Sequence, residues 1–141
     1  MRYTILLLLT LSAIVPQLSH AATVEVPDKN LAAQIRKELK IANADPITSN
    51  KLLALTKLKY DARNKNMVTN LEGLEHATNL YELNLNRNNL SDLTPLSNLT
   101  KLRILDIGGN KNITDYSPVV NTGITRLTTY DNGIQDLSSI V

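Results

Sequence analysis

Asn66, Asn88, Asn110 and Asn132 stand 22 residues apart, and each side-chain amide offers two hydrogen-bond donors and one acceptor. Where a tight turn draws backbone N–H and C=O groups inside without a sheet partner, an amide can satisfy them and an aliphatic cannot. Four in register predict an asparagine ladder with a structural role, and asparagine also tolerates turn conformations. Residues suited to catalysis are scarce. His76 is the only histidine after residue 20, and there is no cysteine for nucleophilic or thiolate–metal chemistry. Gly108-Gly109 lacks the lysine and following helix of a phosphate cradle. Asp131 and Asp136 owe their spacing to the repeat. No catalytic residue, metal ligand set or cofactor is expected.

The elements that must position these amides follow from the aliphatic residues. Leu58, Leu80, Leu102 and Ile124 each precede one of the four asparagines by eight residues. The second copy is cleanest, with Leu80, Leu83, Leu85, Leu90, Leu93, Leu96 and Leu99 as its apolar positions. A fixed period of this length and pattern marks a leucine-rich repeat solenoid. The third copy has Leu102, Leu105, Ile107 and Asn110, then one extra residue before Ile113. The fourth runs Ile124, Leu127, Thr129, Asn132, Ile134, Leu137 and Ile140, and Thr129 in an inward place predicts a looser rung. Strict counting in the first copy would turn Asp61 and Arg63 inward, where an unpaired charge is costly. A local slip is therefore expected, with Leu58, Tyr60 and Ala62 facing in by strand alternation. A single repeat cannot fold alone. Its seven aliphatics contribute ~1.5–3 kcal/mol each, against ~1–2 kcal/mol lost for every backbone residue ordered. Stacking makes the core continuous and stability a property of the array.

Residues between the inward aliphatics point to the opposite face of each strand. They are Glu82, Asn84 and Asn86 in the second copy, Ile104, Asp106 and Gly108 in the third, and Arg126, Thr128 and Tyr130 in the fourth. Their chemistry changes from rung to rung, as a binding face requires. Tyrosine and arginine are favoured interface anchors, so Ile104 beside Tyr130 and Arg126 forms a candidate hot spot.

The segments Leu74-Glu-His-Ala-Thr-Asn-Leu80 and Asp92-Leu-Thr-Pro-Leu-Ser-Asn-Leu-Thr-Lys-Leu102 resemble the 22-residue repeats of bacterial internalins and related secreted proteins. The resemblance covers roughly residues 24 to 141. It implies an α/β solenoid: a right-handed coil with short parallel strands on the concave face, a 3₁₀ or irregular convex side, and an N-terminal helical cap. Pro95 and its counterparts would lie in short convex 3₁₀ segments. Such proteins are secreted or surface-bound and engage other macromolecules, so the resemblance implies an unidentified protein partner, such as a cell-surface macromolecule. The alternative is a non-binding scaffold segment of a larger repeat-containing surface protein.

The remaining sequence supports that organisation. Residues 1–21 form a secretory signal peptide: Arg2 gives the positive start, Ile5 to Val15 are apolar except Thr10 and Ser12, and Ser19-His20-Ala21 suits cleavage. No membrane span is expected after its removal. Residues 22–54 form the helical cap, with Asp28 at a helix start and Leu31, Ala32, Ile35 and Leu39 along one face. Thr48 starts a second short helix that leads through Leu52, Leu53 and Leu55 into the first strand. Residues 55–141 hold about four repeats, the last incomplete, which leaves an edge open to edge-to-edge self-association. Lys51, Lys57, Lys59, Arg63 and Lys65 cluster as a solvated face. Nucleic-acid binding would need a broader basic stripe with stacking groups, so no nucleic-acid partner is expected.

Overall fold

The structure, a computed structural model, describes residues 21–63 and 65–133. The signal-peptide reading of residues 1–21, save for residue 21 itself, the open-edge reading and the positions of Ile134, Leu137 and Ile140 lie outside the described residues. Four short strands, β1 (Lys57–Lys59), β2 (Glu82–Asn84), β3 (Ile104–Asp106) and β4 (Arg126–Thr128), form one parallel sheet in chain order. Among the described residues three 3₁₀ turns lie on the return side, Leu74–His76, Thr94–Leu96 and Ser117–Val119, the last two with Pro95 and Pro118 near their starts. Proline fits there because its fixed φ suits the first turn and its missing N–H is not needed. One circuit of strand and 3₁₀ turn per repeat makes the chain a solenoid. No helix among the described residues is long and apolar enough to cross a membrane.

The core lies between sheet and return path. All seven leucines of the second copy are buried, as are Leu102, Leu105, Ile107, Ile113 and Val119 of the third. Tyr116 takes the place held by Leu93 one turn earlier, and Thr122 that of Leu99. Burial pushes the Tyr116 phenol above its ordinary pKa, and its bond with the Asn132 amide only partly offsets this. Thr122 meets its own need by donating its hydroxyl to the Val119 carbonyl at 2.7 Å. Ile124, Leu127 and Thr129 are only half-buried, so the fourth rung is less enclosed.

The first repeat is longer than a 22-residue count implies. β2 pairs with β3 and β3 with β4 at a 22-residue offset, but Leu58 pairs with Leu83, a 25-residue offset. Leu55, buried, is therefore the counterpart of Leu80. Val68 returns to the 22-residue offset, because its N–H bonds to Asn88 as that of Leu90 bonds to Asn110. Three extra residues thus fall in the turn between Tyr60 and Val68. The slip places Leu58 and Ala62 in the core and Tyr60 half-buried against it, with Asp61 and Arg63 exposed.

This offset corrects the expected ladder. Asn66 is exposed, and what it offers is its backbone carbonyl, which accepts the Tyr60 hydroxyl at 2.9 Å. Asn88 and Asn110 are buried. Asn88 Oδ1 accepts the N–H of Val68 at 2.8 Å, and its Nδ2 donates to the carbonyls of Tyr60 and Asn86, each at 3.0 Å. Asn110 repeats the arrangement one rung on: Oδ1 accepts from Leu90 at 3.1 Å, and Nδ2 donates to Leu85 at 3.0 Å and Ile107 at 2.7 Å. Asn132 differs, accepting the N–H of Asn110 at 3.0 Å and donating to the Tyr116 hydroxyl. Asn66 itself has a left-handed backbone at φ 51°, whereas at the other three rungs it falls on the residue before the asparagine: Arg87, Gly109 and Asp131, with φ of 55°, 72° and 53°.

At the N-terminal edge, helix α1 (Lys29–Leu39) lies against β1 with Leu31 and Ile35 buried, and Gln34 donates to the Lys59 carbonyl at 2.8 Å. Asp28 caps the helix through Oδ1, while Oδ2 accepts the N–H of Thr69 at 2.7 Å and the Thr69 hydroxyl at 3.1 Å. Burial raises its pKa, but these bonds and that from Asn70 outweigh burial and leave the carboxyl below its ordinary value. A short helix, α2 (Ser49–Leu52), begins at Thr48. Of the leucines leading from it into β1, Leu52 and Leu55 are buried and Leu53 is exposed. Gly73, at φ 92°, lets the Val24–Val26 segment approach closely: a Cβ there would stand 2.5 Å from the Glu25 carbonyl oxygen.

The two asparagine environments make a paired test. Asn88→Ala should lower stability by ~1–3 kcal/mol, the cost of stranding buried polar groups. Asn66→Gly, which leaves the left-handed backbone at φ 51° unstrained, should stay within about 0.5 kcal/mol of the parent, as for other surface changes. Urea melts of the two variants beside the parent chain check both.

Candidate binding face on the parallel sheet

In-register parallel pairing places the outward side chains in rows across the four strands. The first row is Lys57, Glu82, Ile104 and Arg126, and the second is Lys59, Asn84, Asp106 and Thr128. The ladder continues past the strands, since Ala62 N–H bonds to Asn86 O, Arg87 N–H to Gly108 O, and Gly109 N–H to Tyr130 O. A third row of Asp61, Asn86, Gly108 and Tyr130 follows. All eight residues expected at this face, Glu82, Asn84, Asn86, Ile104, Asp106, Arg126, Thr128 and Tyr130, are brought onto one surface.

The expected hot spot does not form one cluster. Ile104 is half-buried and adjoins Arg126 in the first row, while Tyr130 lies in the third. Four residues of strand rise separate Arg126 from Tyr130, about 13 Å. Tyr130 instead covers Gly108: a Cβ on that glycine would meet the ring carbons at 2.3 to 2.7 Å. One side of the ring is thereby packed on backbone while the residue stays 47% exposed. The glycine in this strand is explained by the ring above it.

Lys57 and Lys59 belong to this face as well. A uniform 22-residue count hides them in a solvated basic cluster. The pattern Leu55-x-x-Leu58-x-Tyr60, matched to Leu80-x-x-Leu83-x-Leu85, is the signal that could have placed them. They flank Glu82, whose carboxylate lies 2.7 Å from Lys59 Nζ and 3.5 Å from Lys57 Nζ. The Lys59 hydrogen bond, with the charges of both lysines, holds the Glu82 carboxyl below the usual carboxylate range, against a smaller opposing effect of burial. In the third row Asp61 pairs with Arg87 at 2.8 Å.

At the centre of the face, Asp106 Oδ2 accepts from Asn84 Nδ2 at 3.1 Å and from Asn86 Nδ2 at 2.9 Å. Asp106 Oδ1 and Asn86 Oδ1 are shut off from solvent and meet no donor. The arrangement forces this. Asn86 must turn its donor end to the carboxylate, so its oxygen points elsewhere. An acceptor left in this state costs ~1–3 kcal/mol. Beside these groups a depression of about 230 Å³ is lined by Glu82, Asn84, Ile104, Asp106, Arg126 and Thr128. Its make-up suits non-covalent recognition.

Comparison with known proteins agrees with this architecture. Residues 78–121 match the family model described as leucine-rich repeats in two copies. An internalin, inlF, from Listeria monocytogenes is similar over 87% of this chain and 36% of its own, with 38% identity and a TM-score of 0.76. A structure of CBM51-2 and INT domains of ZmpB from Clostridium perfringens is 38% identical over 60% of this chain and 17% of its own, with a TM-score of 0.54. The functional domain of InlJ from Listeria monocytogenes, which includes a cysteine ladder, shares the fold at 22% identity and a TM-score of 0.53, over 86% of this chain and 32% of its own. The present chain spans about a third of the length of the internalin it matches. Comparison with curated proteins found no match.

The Glu82 cluster generates a pH prediction. Its carboxyl is lowered in the fold, so its stabilising contribution is present above the unfolded-state pKa and is lost as pH falls through the folded value. Carboxyl-carbon NMR should place its midpoint below about 4.3, the ordinary glutamate value. Lys59→Ala should move that midpoint upward, and an unmoved midpoint would assign the shift elsewhere.

Proposed function

We propose that this chain, an internalin-like leucine-rich repeat protein, is an exported protein-interaction module that engages a protein partner through the concave face of its sheet. Residues 1–21 direct export, residues 22–54 seal the first rung, and residues 55–141 carry the recognition surface. The observation that carries this reading is the grid of outward side chains. Leucine recurs at the inward position of all four strands, while the outward ones run from lysine and glutamate through asparagine and aspartate to arginine and tyrosine. A surface held at fixed spacing on a rigid ladder loses little entropy on association, which favours specific recognition.

The exposed groups suit the task. Arg126 and Tyr130 are exposed side chains of the fourth rung, and both residue types are frequent interface anchors. Glu82 and its two lysines supply an ion-pair cluster at the other side of the face. Such charges set orientation and encounter rate more than affinity.

A photo-reactive phenylalanine analogue at Thr128 should cross-link the partner on intact target cells, whereas one at Asn98, in the convex path, should not. Against the captured partner, the double variant Arg126→Glu, Tyr130→Ala should keep its melting temperature and lose about tenfold or more in affinity. Undiminished affinity, or cross-linking from Asn98 alone, would move the site off the concave face.

A further inference from the structure

Among the groups on the concave face, Asp106 is the charged one whose needs are met most unevenly. One of its oxygens takes two amide donors and the other takes none, and the neighbouring Asn86 oxygen is also without a donor. The cations of the first two rungs on this face are otherwise engaged. Lys57 and Lys59 meet Glu82, and Arg87 meets Asp61. Arg126 stands one row away on the neighbouring strand and lines the same depression as Asp106, yet it donates to neither Asp106 oxygen. What the second and third rows lack is donors.

The same place offers a flat apolar surface. Tyr130 rests on the Gly108 backbone, which fixes the ring, and the residue is still 47% exposed. Two acceptors without donors beside a fixed aromatic ring match one side-chain chemistry closely. A guanidinium is planar, carries five donors and no acceptor, and is attracted to an aromatic face. A lysine ammonium has donors but no plane to stack. A sugar hydroxyl brings an acceptor with every donor, and acceptors are already in excess here.

We propose that the concave face seats an arginine side chain of the protein partner between Asp106 and Tyr130. Its guanidinium donates to Asp106 Oδ1, with Asn86 Oδ1 as second acceptor, and its plane lies against the exposed side of the Tyr130 ring. Both oxygens are closed to solvent in the free protein, so entry requires rotation of both the Asp106 carboxylate and the Asn86 amide. The adjoining depression, which Asp106 and Asn84 line, leaves room for it. The assignment rests on the concave-face reading and names the chemistry of the partner's anchor.

Acetyl-arginine-amide serves as the probe, titrated into the isotope-labelled full chain and followed by NMR. Saturable shifts are expected at the side-chain amides of Asn84 and Asn86, the backbone of Gly108 and the ring of Tyr130. Acetyl-lysine-amide should bind several-fold more weakly. The isosteric Asp106→Asn should weaken the arginine probe about tenfold, as expected for loss of a charge-assisted bond, and Tyr130→Leu should weaken it independently. Shifts that fail to saturate, that persist unchanged in Asp106→Asn, or that N-acetylglucosamine produces in place of arginine would overturn the proposal. The probe needs no natural partner, so its failure would leave the concave-face reading to stand or fall by the cross-linking test.

Discussion

Each turn of the coil must solve one problem: where a strand ends and the chain bends toward the return path, backbone N–H and C=O groups are buried with no sheet neighbour. Asn88 and Asn110 solve it by reaching in two directions. Each accepts the N–H of a residue in the preceding turn and donates to carbonyls of both the preceding turn and its own. One side chain thereby sets the bend within a rung and the spacing between rungs. Leucine burial supplies the bulk of the stabilisation, but it is non-directional. Register comes from the amides and from the sheet ladder.

The face opposite the leucines inherits its order from that constraint. Fixed rungs hold Lys57, Glu82, Ile104 and Arg126 in one row and the chemistries of the next two rows at set distances. Within this frame, side chains can vary without disturbing the core, because alternation sends them to solvent. Two features go beyond simple solvation. Tyr130 is fixed on Gly108, and Asp106 is loaded on one oxygen and left without a donor on the other. The second leaves an acceptor unpaired in the free protein, a cost that a bound donor would offset.

The regular copies were legible because aliphatic spacing and burial share one period, and every leucine of the second copy is buried as that period requires. The inward slip of Leu58 and Ala62 was also readable, since the alternative would bury Asp61 and Arg63 without partners. The three-residue insertion after β1 was not. It falls among polar turn residues, and Asn66 happens to preserve a 22-residue count while lying outside the ladder. That coincidence also hid Lys57 and Lys59 from the concave face. Distances between outward residues were beyond the sequence as well: Ile104, Arg126 and Tyr130 share a face, but strand rise separates them into different rows. The Asp106 network depends on amides from a neighbouring strand, so no local motif announces it.

Hydrogen exchange of the backbone amides of Val68 and Leu90 tests the ladder most directly, because each donates to an asparagine side chain in the next turn. The account predicts that both exchange only through cooperative opening of the array, as slowly as the amides of the β2–β3 ladder, such as Leu85. Exchange at the rate of exposed turn amides, with the sheet still protected, would contradict it.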